Sequence, residues 1–489
     1  MNIRPAARYY KEGSFAGRRT LTGHRAKGSV ASYYVENFGC RATQADGAAI
    51  ARQFEERGLT RSVAPAQSEI VVLNTCTVTA SADQDARAAI RRIRRENPSC
   101  QIVVTGCYAQ RAPEEVASLP GVSRVIGNSH KHQLADIVVA SRSHDTATSI
   151  AAHPGFVPLS SLARQAQSEI FVSDIFAHTE LQAAPVFDVA GQGINHDRTR
   201  PNLKVQDGCD NRCSFCVIPY VRGQSRSLPL NQIVDEVNAL VNSGYREVVI
   251  SGINLGRWGR DFDRPSRFET MVREILSQTN LEKLRISSVE PMDWSDELIR
   301  MMACSPRIAK HAHVPMQSGS DHVLRAMHRK YRPWHYREKL EKIRAAMPTA
   351  AIGADVMVGF PGESEANFEE TRRLIGDSPL TYLHVFTYSS RPGTPSAAMR
   401  NQVPVQIARD RNRTLRNLAA EKKLAFMRAF VGTTVDAITL NVFDGKSTEA
   451  LTDNYLKLRL QGRHAANQWL TARVEKVEAA TLLAAKETK

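Results

Sequence analysis

Short β-rich runs alternate with stretches of helical period in two separate blocks of this chain. That alternation points to parallel sheets, because parallel strands must be joined by crossovers, usually helices. In the first block the pattern predicts strands at Tyr33–Phe38, Glu69–Leu73, Gln101–Thr105 and Ser123–Ile126, with helices over Gln44–Arg57 and Ala82–Glu96 between them. The first three strands run into Phe38-Gly39-Cys40, Asn74-Thr75-Cys76 and Thr105-Gly106-Cys107. In an open α/β sheet the carboxyl ends of the strands share one edge, where ligands bind. Three thiols spaced 36 and 31 residues apart are therefore expected to converge.

The second block predicts strands at Leu203–Gln206, Glu247–Ser251, Lys283–Ser287, His311–Pro315, Ile352–Gly359 and Leu383–Tyr388. Helical patterns intervene at Asn231–Asn242, Phe268–Leu276, Asp321–His328, Tyr336–Met347 and Glu365–Ile375. Six βα units fit a complete or partial (β/α) barrel, whose reacting groups lie at the C-terminal strand ends. A basic helix is expected over 405–430. Strand-like runs then follow at Thr433–Val442, Tyr455–Leu460 and Trp469–Val477, separated by Asp444-Gly445 and Gln461-Gly462 turns, as in a small β-barrel. The α/β chain thus divides into a basic N-terminal extension (1–30), an open, Rossmann-like parallel-sheet domain (31–140), a linker or peripheral segment (141–200), a partial (β/α) barrel (201–430) and a small C-terminal β-barrel (431–489).

With 489 residues, 24% of them charged and 42% hydrophobic, the chain is long enough for two to four domains and is not mainly disordered. No apolar run approaches the roughly 18 residues that span a bilayer, so no membrane span is expected. The N-terminal segment lacks a secretory core. Its Arg-rich, acid-poor character leaves a transit peptide open, and the expected location is cytoplasmic. Lys and Arg outnumber acids 65 to 50. The excess gathers at 1–30 (seven basic, one acidic), 321–348 (eight and three) and 401–430 (seven and two), whereas 431–489 is nearly balanced (eight and seven). Such patches attract polyanions, nucleic acid first, although a solvated helix face has the same composition.

Cys209-Asp210-Asn211-Arg212-Cys213-Ser214-Phe215-Cys216 is a C-x3-C-x2-C triplet directly after a predicted barrel strand. Three thiolates so close suit one soft metal or cluster. A structural zinc site needs a fourth ligand, which Cys304 or a remote histidine would have to supply. A [4Fe-4S] cluster held by three cysteines keeps one iron open for chemistry. Triplet and barrel together resemble the radical S-adenosylmethionine (SAM) superfamily. The resemblance implies SAM chelated at the open iron, Cys209, Cys213 and Cys216 as the catalytic cluster ligands, and Phe215 near the adenine. Cys40, Cys76 and Cys107, with Asn74-Thr75 and Thr105-Gly106, resemble the N-terminal domain of the methylthiotransferases within that superfamily, which binds a second [4Fe-4S] cluster. For any one of them a buried structural role is the simpler reading; for three at equivalent strand ends it is not. Cys100 and Cys304 fit neither set and are expected to be packing residues.

Val314-Pro315-Met316-Gln317-Ser318-Gly319-Ser320, the run from Asp355 to Glu363 and the run from Tyr388 to Thr394 are similar to methylthiotransferase barrel signatures. Gln317, Ser318 and Gly319 are expected to line the SAM pocket beside Ser251 and Gly252, although such glycines also simply make βα turns. The C-terminal barrel resembles the RNA-binding TRAM domain, but its charge balance makes the helix with Arg409, Arg411, Arg413, Arg416, Lys422 and Lys423 the better phosphate-binding candidate. Tyr455 and Trp469 are candidates for base stacking, with core packing the more common fate. Asn74 to Thr79, Gly106 to Gln110, Ser287 to Pro291 and Met327 to Tyr331 resemble the subgroup acting on threonylcarbamoyladenosine, while Gly39 to Gln44 departs from its pattern.

The resemblance implies transfer of a methylthio group to carbon 2 of that adenine at tRNA position 37, in the anticodon loop, with two [4Fe-4S] clusters, SAM and an electron donor such as flavodoxin or ferredoxin. Isopentenyladenosine or a ribosomal-protein aspartate remain alternative targets. A non-enzymatic iron-sulfur RNA-binding or redox protein is the alternative of another class.

Overall fold

The computed structural model describes residues 31–140, 168–178 and 199–486; the basic extension 1–30 and most of 141–200 lie outside the described residues. The first domain is a six-stranded, all-parallel sheet of Ser32–Asn37 (β1), Thr60–Arg61 (β2), Ile70–Thr75 (β3), Gln101–Gly106 (β4), Val122–Gly127 (β5) and Glu169–Phe171 (β6), in the order β2-β1-β3-β4-β5-β6. Helices Arg41–Glu56 (α1), Ala80–Glu96 (α2), Cys107–Arg111 (α3) and Pro113–Ala117 (α4) connect it. Every residue of β3 is buried, as expected for a strand covered on both faces. Side chains alternate across it: Ile70 and Val72 pack with Ile50 and Phe54 of α1, and Val71 and Leu73 with Ile90 and Ile93 of α2. All four expected strands form. β2 was missed because its two residues carry no periodicity. β6 lies in the stretch read as linker, and only pairing with β5 makes it a strand.

The second domain has strands Asn202–Asp207 (β7), Arg226–Ser227 (β8), Glu247–Gly252 (β9), Lys283–Ile286 (β10), His311–His313 (β11), Ala351–Val358 (β12) and Tyr382–Thr387 (β13). Their helices are Ile218–Arg222 (α5), Leu230–Asn242 (α6), Phe268–Gln278 (α7), Asp296–Cys304 (α8), Asp321–Ala326 (α9), Pro333–Ala346 (α10), Glu365–Asp377 (α11) and Val405–Arg428 (α12). β10-β9-β7-β8 and β11-β12-β13 form two sheets, which single parallel bridges, Leu284 to Ile308 and Ser288 to His313, join into one arc. All strands are parallel except the short β8, antiparallel to β7. The six expected barrel strands are present, and the barrel is partial. Sequence reading missed α8 as an element of its own. Cys304, expected to pack, is exposed at its end.

One face of the arc is apolar and packs on the helices: Leu203, Val205, Val248, Ile250, Leu284, Ile286, Ala312, Ile352, Ala354 and Val356. By the two-residue period of a strand the lumen face carries Lys204, Gln206, Ser251, Arg285, His311, His313, Asp355, Tyr382 and His384. The first domain covers the open side. At one edge Asn202 Nδ2 donates to Arg41 O (2.8 Å) and Lys204 pairs with Asp46 (2.5 Å). At the other, Arg391 donates to Thr77 Oγ1 (2.7 Å) and pairs with Asp83, and Ala80 N donates to Ser389 Oγ (3.0 Å).

Thr434–Phe443 (β14), Ser447–Thr452 (β15), Lys457–Gln461 (β16), Trp469–Glu478 (β17) and Thr481–Lys486 (β18) close into the expected small barrel, in the order β14-β15-β16-β18-β17. It docks through Arg285, fully buried, which pairs with the equally buried Glu247 (2.6 Å) and donates to the carbonyls of Asp453 (3.0 Å) and Thr452 (3.3 Å). Among the described residues no helix is long and apolar enough to cross a membrane. Removing Arg285 leaves the buried Glu247 only its longer contact to Arg200 (3.5 Å), and a buried pair broken outright costs about 3–5 kcal/mol. Arg285→Met is therefore expected to lower the calorimetric unfolding temperature by several degrees, with partial recovery in the Arg285→Met/Glu247→Leu double variant; a wild-type transition in the single variant would reject this role.

Candidate active site

The chain turns sharply as it leaves β4 and β7. Gly106 (φ 98°) precedes Cys107 and Gly208 (φ 70°) precedes Cys209. A Cβ at these positions would sit 2.3 Å from Thr75 O and 1.8 Å from Gln224 O respectively, so only glycine can present the next cysteine at the strand end. Cys40 lies at the start of α1, and Cys76 follows β3 directly. The loop before Cys40 touches Cys76, since a Cβ on Gly39 would fall 2.6 Å from Cys76 Cβ. Cys76 and Cys107 are buried and Cys40 is exposed. Burial, then the neighbouring Cys107 thiol, pushes Cys76 up to about 12. Burial likewise lifts Cys209 to about 11 and Cys216 to about 12. At neutral pH these groups are thiols unless a metal takes the place of the proton.

Donors point at the sulfurs. Arg329 Nη1 lies 3.3 Å from Cys213 Sγ, Asn254 Nδ2 3.6 Å from Cys209 Sγ, Asn128 Nδ2 3.7 Å from Cys107 Sγ, and Val78 N 3.5 Å from Cys76 Sγ. Arg329 is anchored by an ion pair with Glu290, whose carboxyl burial pushes above its usual range. Glu290 and Arg329 stand inside runs singled out for their resemblance, but nothing in the sequence pairs them across 39 residues. Asn254 and Asn128 follow strands without any local signal. Sulfur-only ligand sets with N–H donors aimed at them suit an iron-sulfur cluster. Among the described residues no three Cys, His, Asp or Glu side chains are gathered closely enough for one metal ion. In a four-iron cluster each thiolate meets a different iron, so its ligands stand wider apart than around a single ion.

The residues expected around SAM divide. Ser251 is buried, and its Oγ has no hydrogen-bond partner among the described residues. Gly252 lies against Gln206, whose Oε1 would be 2.9 Å from an added Cβ. Phe215 packs edge-on against Phe360 (6.5 Å between centroids) among Met327, Met357, Tyr388 and Met399. Gln317 adopts a positive φ (59°) and bridges to β12 through Asp355 O and Met357 N. Ser318 and Gly319 are turned elsewhere: Ser318 Oγ lies 3.2 Å from Thr371 Oγ1 of α11, and a Cβ on Gly319 would meet Thr371 Cα at 2.6 Å. These contacts seat the pair against α11.

On α12, Arg409, Arg413 and Arg416 are exposed and Lys423 is half-buried. Arg411 is corrected: it is buried and pairs with Glu363 (2.8 Å) and Glu365 (3.0 Å), so it cannot meet phosphate. Lys422 is likewise spent on the Gly376 and Ser378 carbonyls, both at 2.9 Å. Helical period alone does not tell an inward arginine from an outward one when a carboxylate waits on the next helix. Tyr455 is a packing residue between domains, 4.5 Å from the His311 ring, and takes a hydrogen bond from Arg41 (3.1 Å). Lys283 lies over the Trp469 ring at 5.1 Å.

Residues 32–127 match the family described as "Uncharacterized protein family UPF0004", and residues 203–375 match the radical SAM superfamily. The threonylcarbamoyladenosine tRNA methylthiotransferase MtaB of Aquifex aeolicus is 33% identical over 87% of this chain and 96% of its own length. The tRNA-2-methylthio-N(6)-dimethylallyladenosine synthase of Novosphingobium aromaticivorans is 32% identical over 84% and 87%. A solved radical S-adenosylmethionine methyltransferase, TsrM from Kitasatospora setae, shares the fold with a TM-score of 0.53 at 16% identity, covering 76% of this chain and 75% of its own. By its two cysteine sets, its partial barrel and relatives aligned along nearly their whole length, the chain belongs to the radical SAM methylthiotransferase family.

Proposed function

We propose that this protein is a tRNA methylthiotransferase that adds a methylthio group to carbon 2 of the adenine of N6-threonylcarbamoyladenosine at tRNA position 37, in the anticodon loop. The observation that carries the choice of nucleoside is the lumen lining. His313 Nδ1 meets Ser288 Oγ at 3.0 Å, His313 Nε2 faces Asp355 (3.5 Å), and His384 and Tyr382 stand beside them. Arg41 reaches the same lumen from α1, and its buried Nη1 has no hydrogen-bond partner among the described residues. The threonylcarbamoyl substituent carries a carboxylate and a hydroxyl, which such groups recognise. An isopentenyl chain has nothing to offer the buried Arg41 Nη1 and would leave it without a partner.

Cys209, Cys213 and Cys216 are the proposed ligands of the [4Fe-4S] cluster that binds SAM, and Cys40, Cys76 and Cys107 those of the second. The chemistry these groups supply when bound is radical removal of the adenine hydrogen and delivery of sulfur in its place, at a C–H bond that no side chain can ionise. The chain's own residues position and insulate. Arg329 and Asn254 donate to Cys213 and Cys209, and Glu290 holds Arg329 in place. Phe215 and Phe360 form an apolar wall beside the triplet, and Ser251 offers a hydroxyl that has no partner among the described residues. The first domain sits across the arc and covers Lys204 and Asn202 of β7, while His384 on β13 stays exposed. Arg409, Arg413, Arg416 and Lys423 are proposed to meet tRNA phosphates, a flavodoxin or ferredoxin to supply electrons, and the cytoplasm to be the compartment.

Anaerobic iron and sulfide analysis is expected to give about eight irons per chain; about four would reject two clusters. Cys213→Ala should retain about half the iron and release no 5'-deoxyadenosine, and SAM cleavage by that variant would overturn the triplet's role. Mass spectrometry of tRNA nucleosides from cells with and without the gene is expected to show loss of the methylthio form of threonylcarbamoyladenosine. Loss of the isopentenyl derivative instead would transfer the assignment, and an unchanged profile would refute it. Replacing Arg409, Arg413 and Arg416 by Ala should weaken tRNA binding and flatten its dependence on salt, because each phosphate contact contributes to that slope; an unchanged slope would remove α12 from the interface.

A further inference from the structure

A set of buried charges lies between the two cysteine sites, and the proposed reaction does not use it. Asp46 of α1 accepts from Lys131 Nζ (3.0 Å), Lys204 Nζ (2.5 Å) and Arg222 Nη2 (3.0 Å). Asp207, at the end of β7, accepts from Lys204 Nζ (2.8 Å) and Arg222 Nη1 (2.9 Å). The side chains of Arg222 and Asp46 are only 2% and 3% exposed. Two carboxylates thus face three cations. Arg226, also buried and donating to Arg222 O (2.7 Å), adds a fourth. Buried charge left unbalanced is costly, so an excess of this sign calls for negative charge close by.

The neighbours that can provide it are the thiols of the first domain. Cys107 packs against Val217 and against Val221 of α5, the helix that ends in Arg222. Asn128 spans the gap, donating to Val221 O (2.7 Å) and reaching toward Cys107 Sγ (3.7 Å). Lys131 Nζ also meets Asn74 Oδ1 (3.4 Å), two residues before Cys76. Arg222 Nε is buried with no hydrogen-bond partner among the described residues. Burial opposes the charge on Arg222, yet Asp207, Cys107, Asp46 and Cys40 together hold its guanidinium well above the usual range.

We propose that Arg222, assisted by Lys131, is the counter-charge of the Cys40/Cys76/Cys107 site, a positioning residue whose excess positive field raises the reduction potential of the iron-sulfur cluster held there. This rests on the reading that those cysteines bind a cluster. Three thiolates around an oxidised four-iron core already leave a net negative charge, and each electron added increases it. A fixed cation therefore favours the reduced state, and cluster potentials respond to net charge, hydrogen bonding and exposure. The carboxylates act in the opposite sense. That gives the proposal a signature which a merely structural bridge between domains does not have.

The test uses the full-length Cys213→Ala chain, which keeps only the first-domain cluster, with an EPR-monitored redox titration against dithionite. Arg222→Met and Lys131→Met, each removing a cation, should move the midpoint negative. Asp46→Asn, removing an anion from the same network, should move it positive. Arg222→Lys should stay near the parent. Opposite shifts from Arg222→Met and Asp46→Asn, at unchanged iron content, bear out the proposal. Unmoved midpoints, or shifts of one sign for both, at about four irons per chain, would overturn it and leave the network as an interdomain bolt. A parent chain that holds no iron would overturn the cluster reading and this inference with it.

Discussion

The seat of the first domain on the open side of the barrel is the constraint on which the rest of this molecule depends. The seven-strand arc carries Lys204, Gln206, Arg285, His311 and Asp355 on its lumen face and is open on one side. It is closed by α1 along β7, through Asp46 and the Arg41 carbonyl, and by Arg391 and Ser389 holding Thr77, Asp83 and Ala80 at the opposite edge. Lys204 with Asp46 and Arg391 with Asp83 are pairs of buried charges across this interface, where charge removed from water needs a partner.

That seating brings the two cysteine sets to one wall. α5 follows Cys216 by two residues and packs against Cys107, so a single short helix belongs to both sites. The C-terminal barrel completes the enclosure from below. Tyr455 packs at a tilt against His311 and Tyr382, and Arg285, paired with Glu247, reaches across to the Thr452 and Asp453 carbonyls. The lumen is thus lined by all three units, with its polar groups set inward by the two-residue period of the strands.

Much of this was legible along the chain. β3 announces itself as an uninterrupted apolar run, and β7 ends in the cysteine triplet it was expected to present. The C-x3-C-x2-C spacing is local chemistry and needs no fold to be read. Cys40, Cys76 and Cys107 could be joined only by reasoning through a parallel sheet, since their separations carry no motif. What escaped is uniformly long-range. β6 exists because β5 offers it an edge, Arg411 turns inward because Glu363 waits on the neighbouring loop, and Ser318 and Gly319 pack against Thr371 of α11.

By itself, the sequence determined the elements and their order, because strand and helix periods, glycines before cysteines and turn dipeptides act over a few residues and are set by backbone sterics and local burial. It also determined the sulfur chemistry, because the residue type decides which metals a ligand set suits. Only the tertiary structure decided which charges meet: that Asp46, Lys131, Lys204, Asp207 and Arg222 form one buried set beside the thiols, and that Arg329 faces Cys213. Electrostatic pairing depends on distance in space and on the exclusion of water, and neither quantity is encoded in the separation of residues along the chain.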